Sequence, residues 1–338
     1  MLLLTSPRFE EHTTPPGHPE RPERARVFDT LAGAWRDAGG HTAPPRPATR
    51  EELLRVHSAA HVDALGRLAG RAAALDADTF TSPESFEIAL LAAGAAVQAA
   101  EHALDTRDTA FALVRPPGHH AERDTAMGFC LFNNVAIAGA AAIARGLSRV
   151  AIVDIDVHHG NGTQWMFYDD PRVLYVSTHQ FPFYPGTGAA DEIGTGPGRH
   201  FTVNLPLEAG ATDADYVDSY LGVRTVLEQF VPQLLLISAG FDAHEDDPLA
   251  SMRVTTEGYA DIMRILRQAA ECDAVRCPIA VVTEGGYDLE ALRACTESAV
   301  AVLAAASVPD VTPRASHPRG DRARVAGRAA HGGFWHGI

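Results

Sequence analysis

Along this chain short apolar runs stop abruptly at loops rich in glycine or acid, and the pattern repeats. Ala110 to Val114 runs into RPPGHH, Val150 to Val153 into DIDVHHGNG, Val173 to Val176 into STHQ, Leu234 to Ile237 into SAGFDAHEDD, and Ile279 to Val282 into TEGGY. Short β-branched runs bounded by turn residues predict strands buried on both faces. Between them Asn133 to Arg145, Asp213 to Phe230, Thr256 to Ala270 and Leu289 to Ala305 predict helices. Alternation of strand, loop and helix makes an α/β fold: a single three-layer domain whose central, mostly parallel sheet carries helices on both faces. Upstream, a polar, Pro-rich loop over residues 5–26 leads into a helix from about Val27 to Asp37, short helices follow between Glu51 and Gly70, and residues 85–104 form an Ala-rich, buried helix. From Pro309 the apolar periodicity fades, so the domain is expected to span 1–307 and residues 308–338 to form a flexible tail.

Sheets of this kind bind ligands beyond the carboxyl ends of their strands, so the five loops can share one site. The stretch from Arg149 to Gly162 extends the strand pattern past Val153 and sets Asp154, Asp156 and His158 at steps of two. Alternate side chains face one way along a strand, so these three oppose Val153, Ile155 and Val157. Two carboxylates and an imidazole are costly to bury unpaired, and a divalent cation resolves them. Three protein ligands hold a catalytic zinc with an open position, and Asp156, His158 and Asp242 are the best candidates. Asp242 follows a buried strand and the turn Ser238-Ala239-Gly240, which permits close approach. Glu245, Asp246 and Asp247 compete for the third position, although Asp246-Asp247-Pro248 reads as a turn. Such an oxygen-rich set selects zinc less sharply than thiolates do, so Fe2+ and Co2+ are compatible with it.

His119 and His120 follow the rigid Pro116-Pro117-Gly118. One imidazole can take a proton from an attacking water and the other hold or deliver one, each typically worth ~10²–10⁴-fold in rate. Asp154 is spaced to orient one of them. Gly285-Gly286 frees Tyr287, whose hydroxyl can point at an oxyanion; taken alone, it reads equally well as a core aromatic with a satisfied hydroxyl. The remaining histidines fit blander parts: His12 and His18 as solvated loop residues, His57 and His61, a helical turn apart, as structural ones.

Composition narrows the partners. A formal net charge of −15 argues against nucleic acid and suits a cationic substrate. No apolar run approaches the roughly 18 residues of a membrane span, and the N-terminus lacks a basic start and cleavage site, so no membrane partner and a cytoplasmic location are expected. Cys130, Cys272, Cys277 and Cys295 have neither zinc-knuckle nor CxxC spacing and read as reduced thiols. All 28 basic residues are arginine, so no side chain here can carry lysine acetylation. A homo-oligomer is compatible with these features.

RPPGHHAERDTAMGFCLFNN, DIDVHHGNGTQ, YPGTG, SAGFDAHEDDPL and EGGY, in this order, resemble the histone deacetylase superfamily, in particular its class II-like bacterial deacetylases and acetylpolyamine amidohydrolases. The resemblance covers roughly residues 5–305 and implies the arginase-deacetylase fold. It implies that Asp156, His158 and Asp242 are the metal ligands, that Tyr287 polarises the acetyl carbonyl, and that His120 is the general base with His119, paired to Asp154, as its electrostatic partner. Phe129 and Tyr184 would wall a narrow tunnel, Tyr184 standing where most members carry Phe. The Gly128 carbonyl would accept the substrate amide N–H, and Leu249 and Gly286 would also line the substrate site. Asn161 stands where some relatives pair an Asp with the general base. Arg24 matches an arginine of an inner acetate channel, and Asp154, Asp156, His158, Ser177 and Thr178 would share a structural K+. The related binuclear manganese ureohydrolases need an Asp at the position of Gly160, which favours a mononuclear site here. The implied activity is zinc-dependent deacetylation of a small-molecule or peptide acyl-amine. Leu249, where polyamine-selective relatives carry Glu, favours acetyl-lysine, with acetylpolyamine hydrolysis as the alternative.

Overall fold

The computed structural model describes residues 1–314 and 318–338. In chain order it contains β1 (Leu2–Leu4), α1 (Glu23–Asp37), β2 (His41–Ala43), α2 (Arg50–Leu54), α3 (Ala59–Gly66), β3 (Ala73–Ala74), β4 (Phe80–Thr81), α4 (Ser85–Thr106), β5 (Ala110–Ala112) and α5 (Asn134–Ala144). There follow β6 (Val150–Asp154), α6 (Asn161–Met166), β7 (Val173–Gln180), β8 (Thr202–Leu207), α7 (Asp213–Phe230), β9 (Leu234–Ala239), α8 (Thr256–Glu271), β10 (Ile279–Thr283), α9 (Leu289–Ala304) and α10 (Pro318–His331). Eight strands form one sheet in the order β2-β1-β5-β10-β9-β6-β7-β8, and every pairing in it is parallel.

The alternation along the strands builds two apolar layers. In β6, Ala151 and Val153 enter the core shared with α7, α8 and α9, while Val150 and Ile152 enter the core shared with α4 and α5. Leu235 and Ile237 against Leu234 and Leu236 repeat the division in β9. Each of the valine, leucine and isoleucine side chains among them, fully buried, contributes roughly 1.5–3 kcal/mol of transfer free energy, so the strand centres are fixed and the chemistry is left to their ends. At the last paired rung of β6, Asp154 lies opposite Ser177 of β7 and Ser238 of β9, so the apolar ladder turns polar there across adjacent strands.

The five predicted strands are β5, β6, β7, β9 and β10. Three further strands of this sheet escaped the pattern: β1 and β2 are too short to show periodicity, and Asn204 and Pro206 interrupt β8, as an edge strand allows; β3 and β4, two residues each, pair separately.

The expected flexible tail from residue 308 is corrected by the described residues; its segment 315–317 lies outside them. Helix α10 packs on α7 and along the edge strand β8. Ala323, Trp335 and Ile338 join the core, and Trp335 donates its indole N–H to the His200 carbonyl at 2.6 Å. Periodicity missed this because the helix docks by small residues: a Cβ on Gly327 would come within 3.2 Å of the Leu205 side chain, which would have to give by a few tenths of an ångström. Covering β8 also protects an edge that would otherwise invite strand pairing.

Candidate active site

Beyond Asp154 the chain leaves the sheet but keeps the same facing: Ile155 and Val157 stay in the core while Asp156 and His158 turn toward the loops. The side-chain donor atoms of Asp156, His158 and Asp242 lie within 4.8 Å of one another and could hold a metal ion. His158 Nδ1 is 3.2 Å from Asp156 Oδ1 and 3.0 Å from Asp242 Oδ2. Backbone secures the carboxylates: Asp156 Oδ2 accepts from Gly285 N at 2.8 Å and Asp242 Oδ1 from Val157 N at 2.9 Å. A Cβ on Gly285 would fall 2.2 Å from Asp242 Oδ2 and 2.6 Å from Asp156 Oδ2, so only glycine lets β10 close on this group. Of the rivals to Asp242, Glu245 and Asp246 are exposed.

The donor chemistry suits a cation. Asp154, Asp156, Asp242 and Glu284 are all fully buried. Burial and then Asp156 push the Asp242 carboxyl up to about 7, whereas His119 and His158 hold Asp156 well below the carboxylate range against its burial. One more positive charge among these oxygens relieves both the repulsion and the desolvation.

His119 and His120 stand with ring centroids 4.1 Å apart and opposite surroundings. His119 Nδ1 lies 3.0 Å from Asp154 Oδ2; burial opposes its charge, but Asp154 and Asp156 outweigh that and raise its pKa well above the usual range. His120 Nδ1 lies 2.8 Å from Asn161 Oδ1, and burial, reinforced by His119 and His158, drives its pKa well down. Paired groups pushed apart in this way are the usual mark of an acid–base site. Gly160 has a part that its reading as a missing ligand overlooked: a Cβ there would come 2.2 Å from Asp154 Oδ2 and 3.1 Å from His119 Nδ1.

Aromatic rings flank this group. Tyr184 meets His120 edge-on at 5.2 Å and His158 at 6.2 Å, and Phe183, not singled out in the sequence, stacks on His158 at 5.5 Å. Phe129 meets Tyr287 edge-on at 5.7 Å. Phe129 adopts φ 68°, unusual for a bulky residue, and its N–H is held by Thr79 Oγ1 at 3.1 Å. His18, expected in solvent, packs edge-on against Phe129 at 4.7 Å, and His12, buried, bonds Ser85 Oγ through Nδ1 at 2.6 Å. The Gly128 carbonyl accepts from Cys130 Sγ at 3.2 Å. The Tyr287 hydroxyl has no protein partner among the described residues.

Two residues that brace the site carried only faint signals in the sequence. Asp247, weighed as ligand or turn, accepts from Tyr287 N at 2.7 Å, Asp288 N at 3.3 Å and Leu249 N at 3.0 Å. Glu284, hidden in TEGGY, accepts from Gly118 N, His119 N and Ser238 Oγ and so ties three strand ends together. Arg24 is fully buried under Tyr287, its Cζ 5.1 Å from the ring centroid, and donates to Gly286 O at 2.8 Å and Glu284 O at 2.5 Å. Leu249 is half-buried on the loop that carries Asp247. Ser177 Oγ and Thr178 Oγ1 are engaged by His179 Nδ1 and Tyr220 OH at 2.9 and 2.6 Å. His57 and His61 bond the Glu122 and Leu131 carbonyls, as structural residues do.

A parallel sheet with this cluster beyond its carboxyl edge defines the class, and comparison with known proteins agrees. The histone deacetylase domain family matches residues 18–303. The chain belongs to the histone deacetylase family. It is 42% identical over 291 residues to a probable deacetylase of Archaeoglobus fulgidus, covering 83% of this chain and 80% of that one. It is also 42% identical over 283 residues to a histone deacetylase-like amidohydrolase of Pseudomonas aeruginosa, covering 80% and 73%. The crystal structure of the HDA15 HD domain superposes with a TM-score of 0.89 at 37% identity, covering 99% of this chain and 97% of that one. No described helix is long and apolar enough to cross a membrane.

Proposed function

We propose that this chain is a zinc-dependent amidohydrolase that removes acetyl groups from an alkyl amine, with acetyl-lysine in a peptide or protein as its substrate. The observation that carries the reading is the Asp156, His158 and Asp242 group within 4.8 Å, set beside two histidines pushed to opposite charge states. Those three residues would hold the cation, zinc or else Fe2+ or Co2+, which when bound supplies Lewis acidity toward a carbonyl and acidifies water.

The chain's own groups do the rest. His120, kept neutral by burial, takes the proton of the attacking water at Nε2, since its Nδ1 is engaged by Asn161, and returns it to the amine nitrogen as the C–N bond breaks, leaving acetate and the free amine. His119, kept cationic by Asp154, stabilises the negative charge that grows beside it. Tyr287 donates its free hydroxyl to the acyl oxygen as that oxygen becomes anionic. Phe129 and Tyr184 hold the methylene chain between them, and the Gly128 carbonyl accepts the amide N–H. Asp154, Asp156, His158, Ser177 and Thr178 would hold K+ mainly through backbone oxygens, because both hydroxyls already have partners.

A second reading, hydrolysis of acetylpolyamines, has one observation in its favour: burial and then Asp78, Cys130, Asp76 and Glu122 push the Tyr184 hydroxyl up, so carboxylates stand near this ring, as a cationic far end of the substrate would require. The zinc-loaded chain assayed side by side on an acetyl-lysine peptide and N-acetylputrescine separates the two. Higher kcat/KM on the peptide, with Leu249→Glu shifting preference toward the polyamine, is expected. Higher kcat/KM on N-acetylputrescine would overturn the first reading in favour of the second, and no hydrolysis of either would end both.

A further inference from the structure

We infer that Glu122 is a positioning residue that fixes the side-chain amide of Asn161 in one orientation and thereby fixes which nitrogen of His120 faces the reaction. The inference rests on the reading of His120 as proton acceptor.

Asn161 is 1% exposed, and both ends of its amide are engaged. Oδ1 lies 2.8 Å from His120 Nδ1. Nδ2 donates to Glu122 Oε1 at 2.7 Å, with Met127 Sδ and the His120 carbonyl each at 3.4 Å. An amide has nearly the same shape when turned over, and its neighbours choose the orientation. All three neighbours of Nδ2 can only accept, and the Glu122 carboxylate is the nearest of them and the only charged one. The NH2 group must therefore face Glu122, and the carbonyl oxygen must face His120. That oxygen in turn requires a hydrogen on Nδ1, so the lone pair of a neutral His120 lies at Nε2. With the amide turned over, two oxygens would meet at 2.7 Å and an N–H would face Nδ1, selecting the wrong tautomer.

Glu122 is held for this task. Its N–H donates to the Thr125 carbonyl at 2.9 Å, and its own carbonyl accepts from His57 Nδ1 at 3.0 Å. His57 is fixed in turn by accepting the Asn133 N–H at Nε2, 2.9 Å away. The half-buried carboxylate thus acts on the catalytic imidazole through an intervening neutral amide, which transmits direction.

A double-mutant cycle on the zinc-loaded chain tests this. Glu122→Ala should lower kcat about tenfold at nearly unchanged KM, the scale of losing a group behind a site residue. In Asn161→Asp, position 161 offers an acceptor in either orientation, so adding Glu122→Ala should cost nothing, or raise kcat by removing a neighbouring anion. Equal cost in both backgrounds, or a cost in KM alone, would overturn the inference. Nitrogen-15 NMR of the histidine side chains gives a second readout: the His120 Nδ1–H tautomer should be single in the natural chain, mixed in Glu122→Ala, and single again in the double variant. An unmixed tautomer in Glu122→Ala alone would overturn it too. If no variant turns over substrate, the deacetylase reading fails, and the NMR result still decides the part of Glu122.

Discussion

Two buried charge clusters meet beneath Tyr287, and they are balanced in opposite ways. In the first, Glu20, Arg24 and Arg115 are all fully buried. Glu20 accepts from Arg24 at 3.0 Å and from two nitrogens of Arg115 at 2.8 Å, and the other guanidinium N–H groups reach the carbonyls of Phe9, His12, Glu284 and Gly286. In the second, Asp154, Asp156, Asp242 and Glu284 are equally buried, but among the described residues no guanidinium pairs with them; His119 and His158 supply the charge. The glutamates record the difference. Against its burial, Glu20 is held well below the carboxylate range by Arg115 and His12, while burial pushes Glu284 up to about 7 despite His119. The first cluster is completed by the chain itself and acts as a brace. The second is acid-rich by construction, and a bound cation would complete it.

If that contrast is right, breaking the brace costs most. Glu20→Ala leaves two guanidiniums buried without their carboxylate, and removal of one partner from such a pair typically costs about 3–5 kcal/mol. Urea unfolding of the zinc-loaded chain should show a loss of that size. A loss under about 1 kcal/mol would mean the guanidiniums find other acceptors or water, and the first cluster would not be a brace.

Tyr287 stands where the clusters meet, with Arg24 under its ring and Asp247 on its N–H. Tyr287→Phe keeps both contacts and removes only the hydroxyl. The expected result is a fall in kcat of ~10²–10³, about 2.7–4 kcal/mol in the barrier, with metal content and melting temperature unchanged. Near-normal turnover would remove the oxyanion role and leave Tyr287 as packing over Arg24.

The two clusters also differed in how far the sequence disclosed them. The acid-rich one was legible because it lies at strand ends, where a period of two turns spacing into facing: Asp154, Asp156 and His158 could be aligned before any coordinates. Asp242 needed the parallel sheet as well, since only adjacent strand ends bring it to residues far away in the chain. The brace was not legible. Glu20 and Arg24 fall one helical turn apart across a loop boundary, where periodicity is silent, and Arg115 looked like the first letter of RPPGHH. Asp247 is legible only as a rival ligand or a turn residue and Glu284 only as a letter of TEGGY, because both serve by accepting backbone N–H groups, which no spacing rule reveals. His18 was read as solvated because an isolated loop histidine gives no hint of the ring it will meet.

The same contrast sets how stability depends on pH. Glu284 has a folded-state pKa of about 7 and an unfolded one of about 4.3, so between these values the folded metal-free chain binds more protons than the unfolded one. Its contribution to stability is therefore present below about pH 4.3 and lost as pH rises through about 7. Gln at this position stays neutral, can accept from Gly118 N and His119 N, and can donate to Ser238 Oγ, so it keeps the hydrogen bonds without the charge. In chelator-treated protein Glu284→Gln should match the natural chain near pH 4.5 and become the more stable of the two above it, by at most about 1.4 kcal/mol per pH unit. Glu20→Gln should show the reverse: its carboxylate stabilises above about pH 4.3 and is lost only in more acid solution, so this variant is weaker at neutral pH and the deficit narrows on acidification. If both glutamine variants shift stability with the same sign across this range, the two clusters are balanced alike and the acid-rich site has no excess charge for a cation to neutralise.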